Sequence, residues 1–254
     1  MFIGIIRDLI LFNPVGKFLY ENVYHCYFIL AAYVLFVMWL GPFWMRTRKP
    51  FDLKISMIAY NFFMSAFNLL LACQLYTRMT DNWHLKCLRG TPEYYQKFQV
   101  NMSLIWNLFF EKYISLIDTI FFVLRKKQHQ ISFLHVFHHT SMCLFSISFM
   151  TIPDPAFFLV FAMCLNTFVH FVMYFYYGLS AFGKSIQKYL WWKHYLTLLQ
   201  IAQFLLILLF MVISFGSGCE KMEPLQALVA VFIVSMIVLF LKFYQKSIKK
   251  SKMQ

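Results

Sequence analysis

Residues 194–215 read HYLTLLQIAQFLLILLFMVISF, a stretch with no Asp, Glu, Lys or Arg. At about 1.5 Å per residue a helix of this length reaches about 30 Å, the thickness of a bilayer's hydrocarbon core. Thr197, Gln200 and Gln203 recur within it at three-residue steps, so one face carries neutral groups suited to hydrogen bonding across helices. Working outward, comparable apolar windows lie at 24–44, 55–77, 104–124, 131–150, 156–180 and 225–244. With the window at 189–215 they predict a single all-α integral membrane domain over residues 1–254 with seven transmembrane helices. A basic tail follows at 245–254.

Composition agrees, since 61% of the 254 residues are hydrophobic and 13% are charged, far from the balance of a water-soluble domain. The net charge of +13 does not point to nucleic acid, because the basic residues sit in short segments between apolar windows rather than along one stripe. Membrane lipid is the partner this pattern suits. The opening MFIGIIRDLILF lacks a basic leader and a small-residue cleavage site, so the first span reads as the anchor.

An odd number of spans puts the termini on opposite sides. Segments 45–54, 125–130 and 181–193 hold four, three and three Lys or Arg, and the C-terminal end adds Lys242, Lys246, Lys249, Lys250 and Lys252. The alternate segments hold Arg7 and Lys17, then Arg78, Lys86, Arg89 and Lys97, then none, then Lys221. The bias predicts a cytosolic C-terminus and a lumenal N-terminus. Lys250 and Lys252, fifth and third from the end, resemble a dilysine retrieval signal of the endoplasmic reticulum; a basic tail drawn to anionic lipid is the alternative. Cys87 and Cys219 fall in two segments assigned to the lumen, where a disulfide is permitted, as are two free thiols.

Polar groups inside a bilayer need a partner, a wet cavity or a function. Lys112, Ser115, Asp118 and Thr119 follow at three- and four-residue steps and are expected along one helix face, where Lys112 and Asp118 can partly neutralise each other. His135, His138 and His139 form H-x-x-H-H, three imidazoles on one face. Asn166 and His170 are four apart, followed by Met173, Tyr174 and Tyr177 on nearly the same side. His135 lies roughly 7 Å and His170 roughly 15 Å from the cytosolic ends of their spans at helical rise. A lone histidine in a span is ordinarily a structural hydrogen-bonding group; this conjunction instead predicts one functional site in the cytosolic half. Such imidazoles can bind iron or zinc, or act as nucleophile and base.

Four segments carry a resemblance: KYISLIDT at 112–119, HVFHH at 135–139, NTFVHFVMYFYY at 166–177 and TLLQIAQF at 197–204. In order and spacing they resemble the ELO family of very-long-chain fatty-acid elongases. The resemblance implies a seven-span protein of the endoplasmic reticulum membrane, six helices forming a barrel around an acyl tunnel closed at its lumenal end. It implies condensation of a long-chain acyl-CoA with malonyl-CoA to give 3-oxoacyl-CoA, CO2 and CoA, with no metal and no cofactor. Reductase and dehydratase enzymes of the elongation cycle are implied partners, and a homodimer is allowed. It also implies that Cys87 and Cys219 are bonded.

On that resemblance His138 and His170 flank the thioester and His138 takes the acyl group. His135 and His139 orient the nucleophile and move protons, Asn166, Gln200 and Tyr174 donate to a developing oxyanion, and Asp118 steadies an imidazolium or a tautomer. Arg125, Lys126, Lys127, Lys188 and Lys193 are candidates for the CoA phosphates, and Lys112, Thr119, Tyr177, Thr197 and Gln203 for further substrate contacts. The chain departs from the family at Ser115, where the pattern has Glu, at Cys143-Leu144-Phe145, where it has Pro and Trp, and at Pro155-Ala156-Phe157, where it has a Gly-rich turn. Ser115 brings in a catalytically silent relative as an alternative. A di-iron desaturase or hydroxylase needs several histidine boxes and this chain has one, while a transporter would be favoured by an internal repeat that the sequence lacks.

Overall fold

The computed structural model describes residues 14–97, 102–149 and 156–252. Among them every regular element is helical: α1 (Pro14–Glu21), α2 (Val23–Met45), α3 (Lys54–Asp81), α4 (Pro92–Lys97), α5 (Met102–Ile114), α6 (Ile117–Leu124), α7 (Phe133–Phe149), α8 (Phe157–Ala181), α9 (Lys184–Gln187), α10 (Lys193–Gly216) and α11 (Pro224–Lys252). Five are long and apolar enough to cross a membrane, namely α2, α3, α8, α10 and α11 over Pro224–Lys249. The chain is a multi-pass membrane protein.

The other two expected spans are shorter. The window at 131–150 is the helix α7, and residues 150–155 beyond it lie outside the described residues. The window at 104–124 is two helices, α5 and α6, separated at Ser115 and Leu116. In an unbroken helix the Lys112 carbonyl would accept from the Leu116 N–H. Here it accepts from the Ser115 hydroxyl at 2.8 Å and the Cys143 thiol at 3.4 Å, and the Leu116 N–H turns to the Tyr113 carbonyl at 3.2 Å. Competition of side chains for a helical carbonyl interrupts the ladder, and the next bonds, Asp118 to Ser115 and Thr119 to Leu116, keep the tighter three-residue step. The single continuous stripe expected from Lys112 to Thr119 is therefore cut in two.

The chain forms two compact units. The first holds residues 14–57 and 102–149. Its core joins Cys26, Leu30, Tyr33 and Val37, spaced along one side of α2, to Phe109, Tyr113 and Leu116, to Val123, and to Cys143 and Ile147. Near its end α2 widens into a π-turn at Phe36–Leu40, with the Gly41 N–H reaching back to the Phe36 carbonyl. Pro42 brings no N–H of its own to the next helical bond. Gly41 also admits α6, since a Cβ there would stand 2.7 Å from the Phe36 carbonyl oxygen and 2.7 Å from Val123 Cγ1.

The second unit holds residues 58–97 and 156–252. The buried side of α3, from Met64 and Ser65 to Leu71 and Leu75, meets α8: Ser65 donates to the Phe171 carbonyl at 3.0 Å, and Gly178 leaves room for the Phe62 ring. α10 packs between α8 and α11. At the N-terminus of α8 the chain is tied down. Cys87 and Cys219 are joined by a disulfide, and the next residue, Glu220, accepts the Phe157 N–H at 3.2 Å and an Arg89 N–H at 3.2 Å. Arg89 also donates to Glu223 at 3.4 Å. Burial raises the pKa of the Glu220 carboxyl and Arg89 pulls it back down, the balance expected of a carboxylate drawn out of water beside a guanidinium.

Two stability changes follow. Gly41→Ala is expected to cost about 2 kcal/mol, because a backbone oxygen cannot retreat as a side chain can; thermal unfolding in detergent measures it. Glu220→Ala, with the disulfide intact, is expected to cost about 2 kcal/mol by leaving the half-buried Arg89 with only its longer bond to Glu223 and the Phe157 N–H without its carboxylate, and an unchanged melting temperature would contradict the tie described here.

Candidate active site

The first unit assembles the histidine box. On α7 the three imidazoles emerge at i, i+3 and i+4, as the spacing requires. The His135 and His139 rings lie with centroids 4.4 Å apart, and His138 and His139 at 5.6 Å. His139 is buried while His135 and His138 are half-buried. Two hydroxyls from the interrupted helix pair α5–α6 reach them: Thr119 Oγ1 stands 2.8 Å from His135 Nε2, and Ser115 Oγ stands 3.3 Å from His139 Nδ1.

Proton counting fixes one polarity. Ser115 has a single hydroxyl hydrogen, and it is directed to the Lys112 carbonyl. Toward His139 the oxygen then accepts, with Nδ1–H as the donor. The residue that departs from the family pattern is thus in contact with the histidine box. Asp118, in the first turn of α6, is half-buried, and Thr119 is fully buried.

Lys112 is buried, and the carboxylate 2.7 Å from its ammonium is that of Glu111, itself 0% exposed. Sequence reasoning passed over Glu111, although an acidic residue inside a span was the available signal. The basic turn after α6 is held in shape by its own backbone. Lys126 adopts a left-handed φ of 55°, the Lys127 N–H reaches the Phe122 carbonyl at 2.8 Å and the Lys126 N–H the Val123 carbonyl at 3.0 Å, the double bond pattern that ordinarily ends on glycine. Arg125 is half-buried with a donor 2.9 Å from Met57 Sδ, the Lys126 ammonium reaches the Arg46 carbonyl at 3.4 Å, and Lys127 is exposed.

In the second unit, α8 aligns Asn166, His170 and Tyr174 along one buried side. Asn166 Nδ2 lies 3.5 Å from His170 Nε2, the His170 and Tyr174 rings meet edge to face at 5.9 Å, and Tyr60 of α3 meets Tyr174 the same way at 6.1 Å. Tyr177 continues the aromatic row and is 40% exposed. On α10, Gln200 donates to Met173 Sδ at 3.5 Å, Gln203 is buried and Thr197 is half-buried. Lys188 is exposed, its ammonium 4.8 Å from the Tyr189 ring, and Lys193 opens α10 in an exposed position. The side chains of Lys250 and Lys252 lie outside the described residues. Among the described residues no group of three His, Cys, Asp or Glu has the arrangement of a metal site.

Comparison with known proteins gives a consistent picture. The model of the ELO family, described as GNS1/SUR4, matches residues 18–254. The human very long chain fatty acid elongase 4 is 38% identical over 226 residues, covering 88% of this chain and 71% of that protein. The rat very long chain fatty acid elongase 7 is 40% identical over 236 residues, covering 88% and 80%, and the Drosophila melanogaster very long chain fatty acid elongase F is 38% identical over 234 residues, covering 89% and 90%.

The buried pair makes a separable prediction. Lys112→Met alone leaves the Glu111 carboxylate without the nearest cation and is expected to cost about 3 kcal/mol or more, whereas Lys112→Met combined with Glu111→Leu recovers most of that loss. Unfolding of the three variants beside the wild type measures the coupling.

Proposed function

Since the chain belongs to the GNS1/SUR4 (ELO) family, we propose that it is the condensing enzyme of very-long-chain fatty-acid elongation, a 3-oxoacyl-CoA synthase. The observation that carries this reading is the histidine box with a hydroxyl held against two of its three rings. A neutral imidazole in a water-poor setting is a competent acyl acceptor, and neighbouring groups that fix its tautomer prepare it for that task.

In the proposed reaction an imidazole nitrogen of His138 attacks the acyl-CoA thioester. The carbon–sulfur bond breaks, CoA leaves as the thiol, and an acyl-imidazole remains. Malonyl-CoA then loses CO2, the electron pair of the broken carbon–carbon bond becoming an enolate. Its carbon attacks the acyl-imidazole, and His138 is released as the 3-oxoacyl-CoA forms. His139 and His135 are suited to moving protons around the nucleophile. His170, aligned with Asn166 and Tyr174, and Gln200 are proposed as donors to the enolate and oxyanion, with Asp118 steadying positive charge. The basic groups Arg125, Lys126, Lys127, Lys188 and Lys193 are assigned to CoA phosphates, and Lys112, Thr119, Tyr177, Thr197 and Gln203 to supporting the substrate or the residues that hold it. This route uses no metal and no cofactor.

The family supports placing the chain in the endoplasmic reticulum membrane with seven spans, six of them around a closed acyl tunnel. The Lys and Arg distribution supports a lumenal N-terminus and a cytosolic C-terminus carrying Lys250 and Lys252 as a retrieval signal. Reductase and dehydratase enzymes of the same cycle, and a second copy of the chain, are the partners that this reading brings with it.

The test is condensation of a panel of long-chain acyl-CoAs with labelled malonyl-CoA by purified protein in chelator. Wild type is expected to form 3-oxoacyl-CoA and, without malonyl-CoA, an acyl adduct mapped to His138 by mass spectrometry. His138→Ala is expected to lose product by at least about a thousandfold, as removal of a nucleophile does. Wild-type protein that forms no product with any chain length would make the chain a silent relative.

A further inference from the structure

Tyr33 lies on α2, a helix that carries none of the family-like motifs, yet its phenol is joined to the histidine box. Its hydroxyl is 2.8 Å from Thr119 Oγ1, and that oxygen is 2.8 Å from His135 Nε2. The two hydroxyls are shielded, Tyr33 being 6% exposed and Thr119 0%. We propose that Tyr33 is a positioning residue for His135, holding it through Thr119 as the neutral tautomer protonated on Nδ1. The consequence for catalysis rests on the elongase reading above.

The argument is again a count of hydrogens. Thr119 has one, and its hydroxyl has no third partner among the described residues to take that hydrogen, so the two bonds run in the same direction. In one direction Tyr33 donates to Thr119 and Thr119 donates to His135 Nε2. In the other, Nε2–H donates to Thr119 and Thr119 donates to the phenol oxygen, leaving the phenol proton in need of an acceptor. Thr119 is the hydrogen-bond partner the phenol has among the described residues; Cys143 and Asp118 act on it electrostatically but take no hydrogen bond from it, and an unmade bond for a buried hydroxyl is unfavourable. The first direction satisfies both shielded hydroxyls and moves the remaining donor to Nδ1–H of the half-buried His135 ring, which is not shut away as the phenol is. His135 therefore accepts at Nε2 and keeps its proton on Nδ1, the side away from Thr119.

The same relay opposes protonation of His135. An imidazolium would have to donate from Nε2, reversing both hydroxyls and stranding the phenol proton. Tyr33 thus favours the neutral His135 in a box where the neighbouring His139 ring is 4.4 Å away, and acts there against the carboxylate of Asp118, which would favour an imidazolium. Because all three groups sit in the first unit, the relay is complete within one folded body. It reaches from α2 through α6 to α7.

The full chain, with 15N-labelled histidine and reconstituted in lipid nanodiscs, tests this by solid-state NMR of the imidazole nitrogens, His135 being assigned as the resonance lost in His135→Gln. Wild type is expected to show a protonated Nδ1 and a hydrogen-bonded, unprotonated Nε2. Tyr33→Phe, which keeps the ring, is expected to convert this to a mixture of tautomers; Thr119→Val should do the same, and Thr119→Ser should keep the wild-type spectrum. In the condensation assay Tyr33→Phe is expected to lower kcat by about tenfold with KM little changed, the scale of an impaired proton-transfer group. A His135 spectrum unaltered by Tyr33→Phe overturns the proposal, as does a changed spectrum with unchanged kcat. The tautomer is read without turnover, so a wild-type chain that shows the relay but forms no product refutes the elongase reading and not the relay.

Discussion

The carbonyl of Lys112 is the point on which the geometry of the first unit turns. In an α-helix each backbone carbonyl is normally spoken for by the N–H four residues on. This one is claimed by a hydroxyl from its own helix and a thiol from α7. The displaced N–H tightens the next turn, and the helix restarts at Ile117 in a new register. Thr119 then falls between α2 and α7, touching Tyr33 on one side and His135 on the other. Without the break, Lys112 and Thr119 would share the one stripe that a regular helix prescribes.

This explains what the sequence made legible and what it did not. The apolar windows carry their own signal, so long helices lie over 24–44, 55–77, 156–180, 189–215 and 225–244. The face shared by His135, His138 and His139 follows from helical spacing alone and needs no tertiary information. The break at Ser115 depends on Cys143, some thirty residues later, and no local pattern encodes that meeting. Tyr33 was equally invisible. In an apolar helix rich in Tyr and Phe a phenol reads as packing until the partner of its hydroxyl is known. Glu111 was legible in principle as a carboxylate within an apolar window, although it lies one residue outside the motif that begins at Lys112.

The second unit solves a different problem. α8 bears Asn166, His170 and Tyr174 along one buried side, and such a row is useful only if the helix cannot rotate or slide. Its N-terminal end is fixed by Glu220, which meets the Phe157 N–H while Arg89 balances its charge. The disulfide at the adjacent Cys219 fixes the backbone that presents this carboxylate. Along its length the contact with α3 is close because Gly178 lets the Phe62 ring approach and Ser65 bonds to a main-chain oxygen. Charge, covalent bond and close packing act at successive heights on one helix.

Ser115 is best understood through Glu111. The two positions lie one turn apart, so a carboxylate at 115, as the family pattern has it, would stand beside the one already at 111 with a single lysine between them. Like charges at that spacing repel even in water, and burying a second one out of solvent would be far less favourable. With Lys112 matched by Glu111, a neutral group at 115 keeps the local charge balanced. The serine also does what a carboxylate cannot, since it donates to the Lys112 carbonyl while accepting from His139. That dual role needs one hydrogen and one lone pair on the same atom, which a hydroxyl has and an ionised carboxyl lacks. In this chain the box is therefore held at position 115 by a neutral hydroxyl, with the three imidazoles on the same face of α7.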